Sequence, residues 1–207
     1  RERGILMQEA VPAGVGGMSA VLGMTADEIN AVVDEIPNVQ VANYNCPGQI
    51  VISGLKEAVE TALSLVGKVG YFWGGKSLVI GWDSRWGTLR EVTAAGSSTT
   101  GTYRPYGLDC SGMMDWIFYN ITGGEYILGR GGGATAQRSY CTPVSQADAQ
   151  PGDLAFYPDD SHVGIVVGRR EDGKLLICHC SSGQNNVVVT EFAASGFTTL
   201  GRPDIFQ

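Results

Sequence analysis

One cysteine and two histidines are the residues of this chain best suited to nucleophilic catalysis. Cys110 lies in the stretch GLDCSG at residues 107–112 and is followed by apolar residues at helical spacing, so a helix is predicted to begin at or just after it. The N–H groups at a helix start favour the thiolate, which is the nucleophilic form of the side chain. For a lone cysteine, a buried residue without chemistry is the alternative.

The chain has two histidines, His162 and His179, and both lie on predicted strands that are joined by a loop at residues 169–173. A hairpin centred on that loop sets them opposite or nearly opposite each other, on one face of the sheet. A nucleophile, a base and a group that orients the base are the minimal set for acyl transfer by a thiol. We therefore predict Cys110, His162 and His179 as catalytic residues.

Zinc binding is the competing use of cysteine and histidine, and the sequence CHC at residues 178–180 suggests it. Alternate side chains of a strand face opposite ways, so Cys178 and Cys180 cannot converge with His179 on one ion. The chain also lacks a Cys-x-x-Cys pair. We predict no metal site and no cofactor.

The elements that must position the catalytic residues form an α+β arrangement. A helix from Cys110 to about residue 119 precedes several strands, which are predicted over residues 154–157, 162–168, 174–180 and 187–190. This order predicts a helix that packs on an antiparallel sheet.

The first 66 residues have the pattern of a separate, small α+β unit. Its predicted elements are a strand, a helix, two strands and a second helix, over residues 18–22, 25–35, 39–43, 49–53 and 55–66. The order β-α-β-β-α is most of a ferredoxin-like split unit.

Composition limits the possible partners. The net charge is −7 and the pI is about 4.8, without a basic cluster, so neither nucleic acid nor an anionic membrane is an expected partner. No apolar run approaches the length of a membrane span, and the 207 residues contain no export signal. Five cysteines are an odd number, so at least one thiol is free or pairs outside the chain.

Two stretches, at residues 3–12 and 42–54, resemble the small subdomain of malonyl-CoA:acyl-carrier-protein transacylases, and the resemblance covers about residues 1–62. The Gly-x-Ser-x-Gly elbow of that family does not occur in the chain, and no histidine precedes His162. Acyl transfer needs a nucleophile and a base. We expect residues 1–62 to be a catalytically inert ferredoxin-like segment, either a gene-fusion remnant or an engineered fusion partner.

Five further motifs resemble the motif series of NlpC-type cell-wall cysteine peptidases, in the same order, over about residues 60–207. They are YFWGG at 71–75, LDCSG at 108–112, QPGDL at 150–154, SHVGI at 161–165 and ICH at 177–179. The resemblance implies a papain-like peptidase domain over residues 63–207. It also implies that Cys110 is the nucleophile, His162 the base and His179 the orienting residue.

The same resemblance implies hydrolysis of peptidoglycan stem peptides, typically between γ-D-glutamate and the diamino acid, in an extracellular or cell-wall location. Tyr71, Asp109 and Ser111 match positions that line the substrate site and in some members hold the free amine of the L-alanine of the stem peptide. The long insertion at residues 76–106 departs from the family pattern, so the shape of the cleft and the preferred stem peptide stay open.

Two other functions use the same residues differently. One is an acyltransferase or amidotransferase that applies the same triad to a substrate outside the wall. The other is a wall-binding module without catalysis, against which the intact Cys–His–His set weighs.

Overall fold

The structure, a computed structural model, describes residues 19–22, 44–46, 49–52 and 55–206. The chain divides into two compact units, Arg1–Glu57 and Ala58–Gln207. The catalytic candidates all belong to the second unit, so the fold of that unit is what positions the site.

The first unit contains a three-stranded antiparallel sheet of β1 (Ser19–Leu22), β2 (Tyr44–Cys46) and β3 (Gln49–Ile52). The third strand lies between the other two. This order agrees with a ferredoxin-like split unit. In such a unit the second strand of the hairpin, here β3, lies between the first strand and its own hairpin partner. The helix predicted over residues 25–35 and the strand predicted over 39–43 lie outside the described residues.

Three α-helices occur in the described part of the chain: α1 (Leu55–Ser64), α2 (Cys110–Ile121) and α3 (Ala134–Ser139). Short 3-10 helices cover Leu128–Gly131, Ala193–Ser195 and Asp204–Phe206. Helix α1 is two residues shorter than predicted. No helix among the described residues combines the length and apolar character that a membrane span needs.

Helix α2 begins at Cys110, as the sequence predicts. The Asp109 carboxylate caps it by accepting a hydrogen bond of 2.6 Å from the backbone N–H of Gly112, which would otherwise have no helical partner. Met113, Met114 and Ile117 are fully buried. The cap therefore fixes the start of the helix, and the apolar packing fixes the helix against the rest of the unit.

The larger unit contains a two-stranded antiparallel sheet and a six-stranded antiparallel sheet. The strands are β4 (Leu89–Glu91) paired with β5 (Tyr103–Pro105), and β6 (Cys141–Val144), β7 (Leu154–Phe156), β8 (Val163–Arg169), β9 (Leu175–Ser181), β10 (Asn186–Glu191) and β11 (Thr199–Pro203). The order across the six-stranded sheet is β10-β9-β8-β7-β11-β6. This is the predicted papain-like arrangement of a helix with an antiparallel sheet.

The two faces of the six-stranded sheet pack into different clusters. Cys178 and Cys180 belong to the cluster that contains the apolar residues of α2, whereas Ile177 belongs to a second cluster with Phe197. Because successive side chains of a strand alternate between faces, His179 lies on the side of Ile177. The sequence prediction that the two cysteines face away from His179 is confirmed.

The insertion at residues 76–106 is packed against α2 rather than extended. The ring of Trp86 lies 5.3 Å from that of Trp116 in α2, and Trp86 is 8% exposed. The hairpin β4–β5 lies beside residues 72–74, and a cleft of about 400 Å³ separates them. The insertion therefore packs against the middle of α2 and forms one wall of the cleft beside residues 72–74.

Candidate active site

Cys110 is the first residue of α2 and is 7% exposed. Its Sγ lies 4.0 Å from the carbonyl oxygen of Ser161, the residue that precedes His162. Burial and, after it, the Asp109 carboxylate raise the pKa of Cys110 to about 11, although the backbone N–H groups of Val163 and Ser111 act in the opposite direction. Burial thus outweighs the helix start, and the side chain is a thiol at neutral pH.

The other described cysteines are even less acidic. Burial raises the pKa of Cys141 and of Cys178 to about 12, and it also raises the pKa of Cys180. Sγ of Cys178 lies 3.6 Å from the carbonyl oxygen of Ala62, and Sγ of Cys180 lies 3.1 Å from the carbonyl oxygen of Leu108. In the described part of the chain, no group of three His, Cys, Asp or Glu side chains could hold a metal ion.

The two histidines are in direct contact. Nε2 of His162 lies 2.8 Å from Nδ1 of His179, so one ring donates a hydrogen bond to the other. Burial lowers the pKa of both rings to about 4, and in His179 the neighbouring His162 adds to the effect. Both rings are therefore neutral at neutral pH.

The register of the hairpin places the two histidines nearly opposite each other, within the range predicted. Strand pairing matches Ile165 with Cys178, so the next pair places Gly164, not His162, beside His179. The tight turn lies one residue later than predicted, with Gly173 at φ +82°, and a bulge follows Val166. His162 lies two positions from Gly164, so it keeps the same face and contacts His179 diagonally.

Thr190 extends the contact between the two histidines, and no local sequence pattern predicts its role. Nε2 of His179 lies 3.0 Å from Oγ1 of Thr190 in β10, while Val188 is the direct partner of His179 in that strand. Thr190 is thus a diagonal neighbour, which only the register of β9 with β10 reveals. The three side chains form a line of hydrogen bonds from His162 to the edge strand.

Two aromatic side chains enclose the histidines. The ring of Tyr157 lies 4.8 Å from that of His162, and the ring of Phe197 lies 5.2 Å from that of His179. These rings remove water from both imidazoles, which is the burial that lowers the histidine pKa values. The sequence pattern does not identify Phe197, because it lies just before β11, a strand that was not predicted.

The three predicted substrate-site residues surround Cys110. Tyr71 forms an isolated bridge with Leu108, and burial, with Cys110 and Asp109 as further causes, raises the pKa of its phenol. The Ser111 hydroxyl donates a hydrogen bond of 3.0 Å to Asp109 Oδ1. Asp109 and Ser111 flank the thiol along the chain, so all three lie beside the start of α2.

A lysine and a second carboxylate complete this side of the site. Nζ of Lys76 lies 3.1 Å from Asp109 Oδ1, 2.6 Å from Ser111 Oγ and 3.4 Å from Asp115 Oδ2. Burial raises the pKa of Asp115 to about 6, against the effect of Lys76 and of the amide of Gln137. Ser111 and Asp115 are four residues apart, which is a readable signal for one helix face. The contacts of Lys76 with these residues join positions more than thirty residues apart, so no local sequence pattern predicts them.

Comparison with known proteins decides the family. The model of the NlpC/P60 family matches residues 68–199, which is more than half of the chain. The chain belongs to the NlpC/P60 family. The resemblance of residues 60–207 to NlpC-type proteins is thereby confirmed.

Solved structures of NlpC/P60 proteins are similar to this chain. The peptidoglycan hydrolase RipB from Mycobacterium tuberculosis is 27% identical with a TM-score of 0.51, and the match covers 72% of this chain and 64% of RipB. The P60 domain of an antigen from M. avium subspecies paratuberculosis is 25% identical with a TM-score of 0.51, over 73% of this chain and 95% of that domain. RipD from M. tuberculosis, described as a non-catalytic NlpC/P60 protein adapted to peptidoglycan binding, is 21% identical with the same TM-score and shares the fold. Its match covers 72% of this chain and 95% of RipD.

Curated relatives match a smaller part of the chain. The malonyl-CoA:acyl-carrier-protein transacylase of Bacillus subtilis (strain 168) is 51% identical over 74 residues, which is 34% of this chain and 23% of that enzyme. The transacylase of Salmonella typhimurium is 52% identical over 63 residues, which is 29% of this chain and 20% of that enzyme. The chain thus spans less than a quarter of these relatives, and the matches support a fusion of a transacylase-like segment with an NlpC/P60 domain.

Proposed function

We propose that this protein is a cysteine endopeptidase that hydrolyses peptidoglycan stem peptides at the bond between γ-D-glutamate and the diamino acid. The observation that carries the proposal is the contact of 2.8 Å between His162 Nε2 and His179 Nδ1, together with the buried Cys110 at the start of α2, whose Sγ lies 4.0 Å from the carbonyl oxygen of Ser161. Membership of the NlpC/P60 family supports the substrate class. Such a substrate implies an extracellular or cell-wall location.

The hydrogen-bond line assigns a role to each ring nitrogen. His162 uses Nε2 toward His179, so Nδ1 is the nitrogen that can accept the proton of the Cys110 thiol. Nε2–H of His162 then donates to His179, and Nε2–H of His179 donates to Thr190 Oγ1. This arrangement keeps His162 in the tautomer that a general base needs.

The reaction proceeds by acyl transfer to sulfur. The Cys110 proton moves to Nδ1 of His162 while Sγ attacks the amide carbonyl carbon, and the backbone N–H of Cys110 stabilises the oxyanion. His162 then protonates the leaving amine, the C–N bond breaks and a thioester remains. Water that gives its proton to His162 attacks the thioester and releases the free acid and the thiol.

The charge states fit a neutral starting pair. The pKa of His162 is lowered to about 4 and that of Cys110 is raised to about 11, so imidazole and thiol are both uncharged between these values. His162 therefore acts as a general base during the attack, and no thiolate has to exist beforehand.

Product analysis of a muropeptide digest tests the proposal. The wild-type protein should convert each stem peptide into one fragment with a new glutamate carboxylate and one with a new amine on the diamino acid. The Cys110→Ala variant should release neither fragment. With an added amine nucleophile, conjugates in place of the free acid would identify a transferase. Muropeptide that binds but stays intact would identify a binding module, and either result would overturn hydrolysis.

A further inference from the structure

Lys76, the first residue of the insertion, places its ammonium group among three acceptors beside the nucleophile. Its Nζ contacts Asp109 Oδ1 at 3.1 Å, Ser111 Oγ at 2.6 Å and Asp115 Oδ2 at 3.4 Å. An ammonium group has three N–H donors, so these contacts use all of them. The side chain is 35% exposed, whereas that of Asp115 is 3% exposed.

The side chain of Tyr106, at the other end of the insertion, holds the main chain of Lys76 in place. The Tyr106 hydroxyl donates a hydrogen bond of 2.6 Å to the carbonyl oxygen of Lys76. Gly112 leaves room for the lysine stem, since a Cβ at Gly112 would lie 3.0 Å from Lys76 Cδ and 2.0 Å from the Gly75 carbonyl oxygen. Both the backbone and the side chain of Lys76 are thus fixed against α2.

The charge of Lys76 has two consequences for the site. It compensates the carboxylates of Asp109, at the cap of α2, and of Asp115, in the second turn of that helix, which face the same ammonium group. It also occupies the acceptors that flank Cys110. A positively charged group of a substrate that approached Asp109 or Ser111 would meet the Lys76 charge at short range, where like charges repel.

We propose that Lys76 is a specificity-determining residue that replaces a substrate amine at Asp109 and Ser111. The site consequently favours stem peptides whose L-alanine nitrogen is acylated, and it disfavours those with a free ammonium group at that end. This inference rests on the proposed function for its substrate and on the contacts of Lys76 for its chemistry. Lys76 acts by occupying the site, not by contacting the reacting atoms.

Two matched peptides test the substrate preference. L-Ala-γ-D-Glu-diamino acid is compared with its N-acetylated form, and kcat/KM is measured for both. The wild-type protein should prefer the acetylated peptide. In Lys76→Met the ratio of kcat/KM for the acetylated peptide to kcat/KM for the free peptide should fall by about tenfold or more. The reason is that the positive charge that repels the free ammonium group has been removed. Lys76→Arg, which keeps the charge, should retain the wild-type ratio.

Lys174→Met is the matched control, because Lys174 is an exposed cation on the β8–β9 hairpin whose Nζ lies 3.2 Å from Glu191. It should leave the ratio unchanged. A wild-type preference for the free amine, or a ratio that does not move in Lys76→Met, would overturn the proposal. Circular dichroism checks the fold, and Lys76→Gln provides a second neutral variant that keeps hydrogen-bond donors.

A thiol-labelling arm makes failure of the inference distinguishable from failure of the proposed function. Cys110 is labelled with a cationic and with a neutral methanethiosulfonate, and the ratio of the two rates is compared between variants. Lys76→Met should raise the cationic-to-neutral ratio by about tenfold, whereas Lys174→Met should not. If the peptides are cut but neither the kcat/KM ratio nor the labelling ratio changes in Lys76→Met, the role of Lys76 is refuted and the proposed function is not. If the labelling ratio changes in Lys76→Met but no peptide is cut, the proposed peptidase function is refuted and the role of Lys76 is not.

Discussion

At the scale of single residues, the site depends on which groups carry protons at neutral pH. Cys110, His162 and His179 are all enclosed, and burial shifts each toward its uncharged form. The consequence is a base whose pKa lies well below that of an exposed histidine. Such a base is available for proton transfer over most of the physiological range.

The histidine pKa values can be measured directly. Two histidines in the chain give two sets of ring C–H resonances, and in the folded protein both should titrate near pH 4. Above that pH His162 is neutral and can accept the thiol proton, so kcat/KM should fall only as the pH decreases through about 4. The protein in denaturant, whose histidines titrate near 6.5, is the control. Folded-state titration near 6.5 would contradict the enclosed pair.

In the proposed mechanism, Thr190 Oγ1 accepts a hydrogen bond from Nε2–H of His179 and thereby fixes the tautomer of that ring. In Thr190→Val the ring of His179 loses that partner, so kcat/KM should fall by roughly tenfold, less than in His179→Ala. His162→Ala should be the least active of the three variants, with kcat/KM at least ~100-fold below that of the wild type, because the base itself is lost. Thr142→Val, at an exposed position of the strand on the opposite edge of the sheet, is the control. Wild-type activity in Thr190→Val would remove Thr190 from the site.

At the scale of elements, the close pairing of β8 with β9 sets the position of His179. A Cβ added to Gly164 would lie 2.9 Å from the Cβ of His179 and 2.5 Å from Ile177 Cγ2. Gly164 is therefore the residue that lets the two strands approach at the point where the histidines meet.

Replacing this glycine should damage both stability and activity. Gly164→Ala should lower the free energy of unfolding by about 1–3 kcal/mol, as overpacking does, and should reduce kcat/KM by displacing His179. Gly133→Ala, where an added Cβ meets nothing within 4 Å, is the matched control and should behave like the wild type. Denaturant unfolding and stem-peptide kinetics measure the two effects. An unchanged Gly164→Ala protein would show that the strands have room at this position.

The elements that sequence reasoning predicted well are those with local signals. The helix start at Cys110 has a cap and an apolar pattern, and the β8–β9 hairpin has its turn residues and alternation. The pattern placed the two histidines only opposite or nearly opposite each other, because neither the exact end of the turn nor the bulge after Val166 can be read from alternation. His162 and His179 are nevertheless in contact, since two residues along a strand return to the same face.

The elements that were missed depend on partners far along the chain. Strands β6 and β11 pair with each other across more than fifty residues, and each contains a proline that weakens a strand pattern. The contacts of Lys76 with α2 and of Thr190 with His179 likewise join separate elements. Spacing along the sequence carries no signal for such contacts.

At the scale of the whole molecule, the chain contains parts that are similar to two different protein families. Residues 1–62 resemble part of a transacylase, and the whole chain lacks the serine elbow on which that chemistry depends. We propose that this segment makes no catalytic contribution and that residues 63–207 carry the activity.

A transfer assay tests the inert segment. The protein is incubated with labelled malonyl-CoA and acyl carrier protein, with the B. subtilis transacylase as the positive control. No malonyl group should reach the carrier protein, because residues 1–62 contain neither the Gly-x-Ser-x-Gly elbow nor a histidine to act as base. Transfer that persists in Cys110→Ala would refute the assignment, since it would require a second reactive centre.

The most direct test of the central claim is to trap the acyl-enzyme. The wild-type protein is mixed with an N-acetylated stem peptide, quenched in acid within the first turnover and analysed by intact-protein and peptide mass spectrometry. The account predicts an adduct with the mass of the N-acetyl-alanyl-glutamyl group on the peptide that contains Cys110, and no adduct or product in Cys110→Ala. An adduct on another residue, or product formation that survives Cys110→Ala, would contradict it.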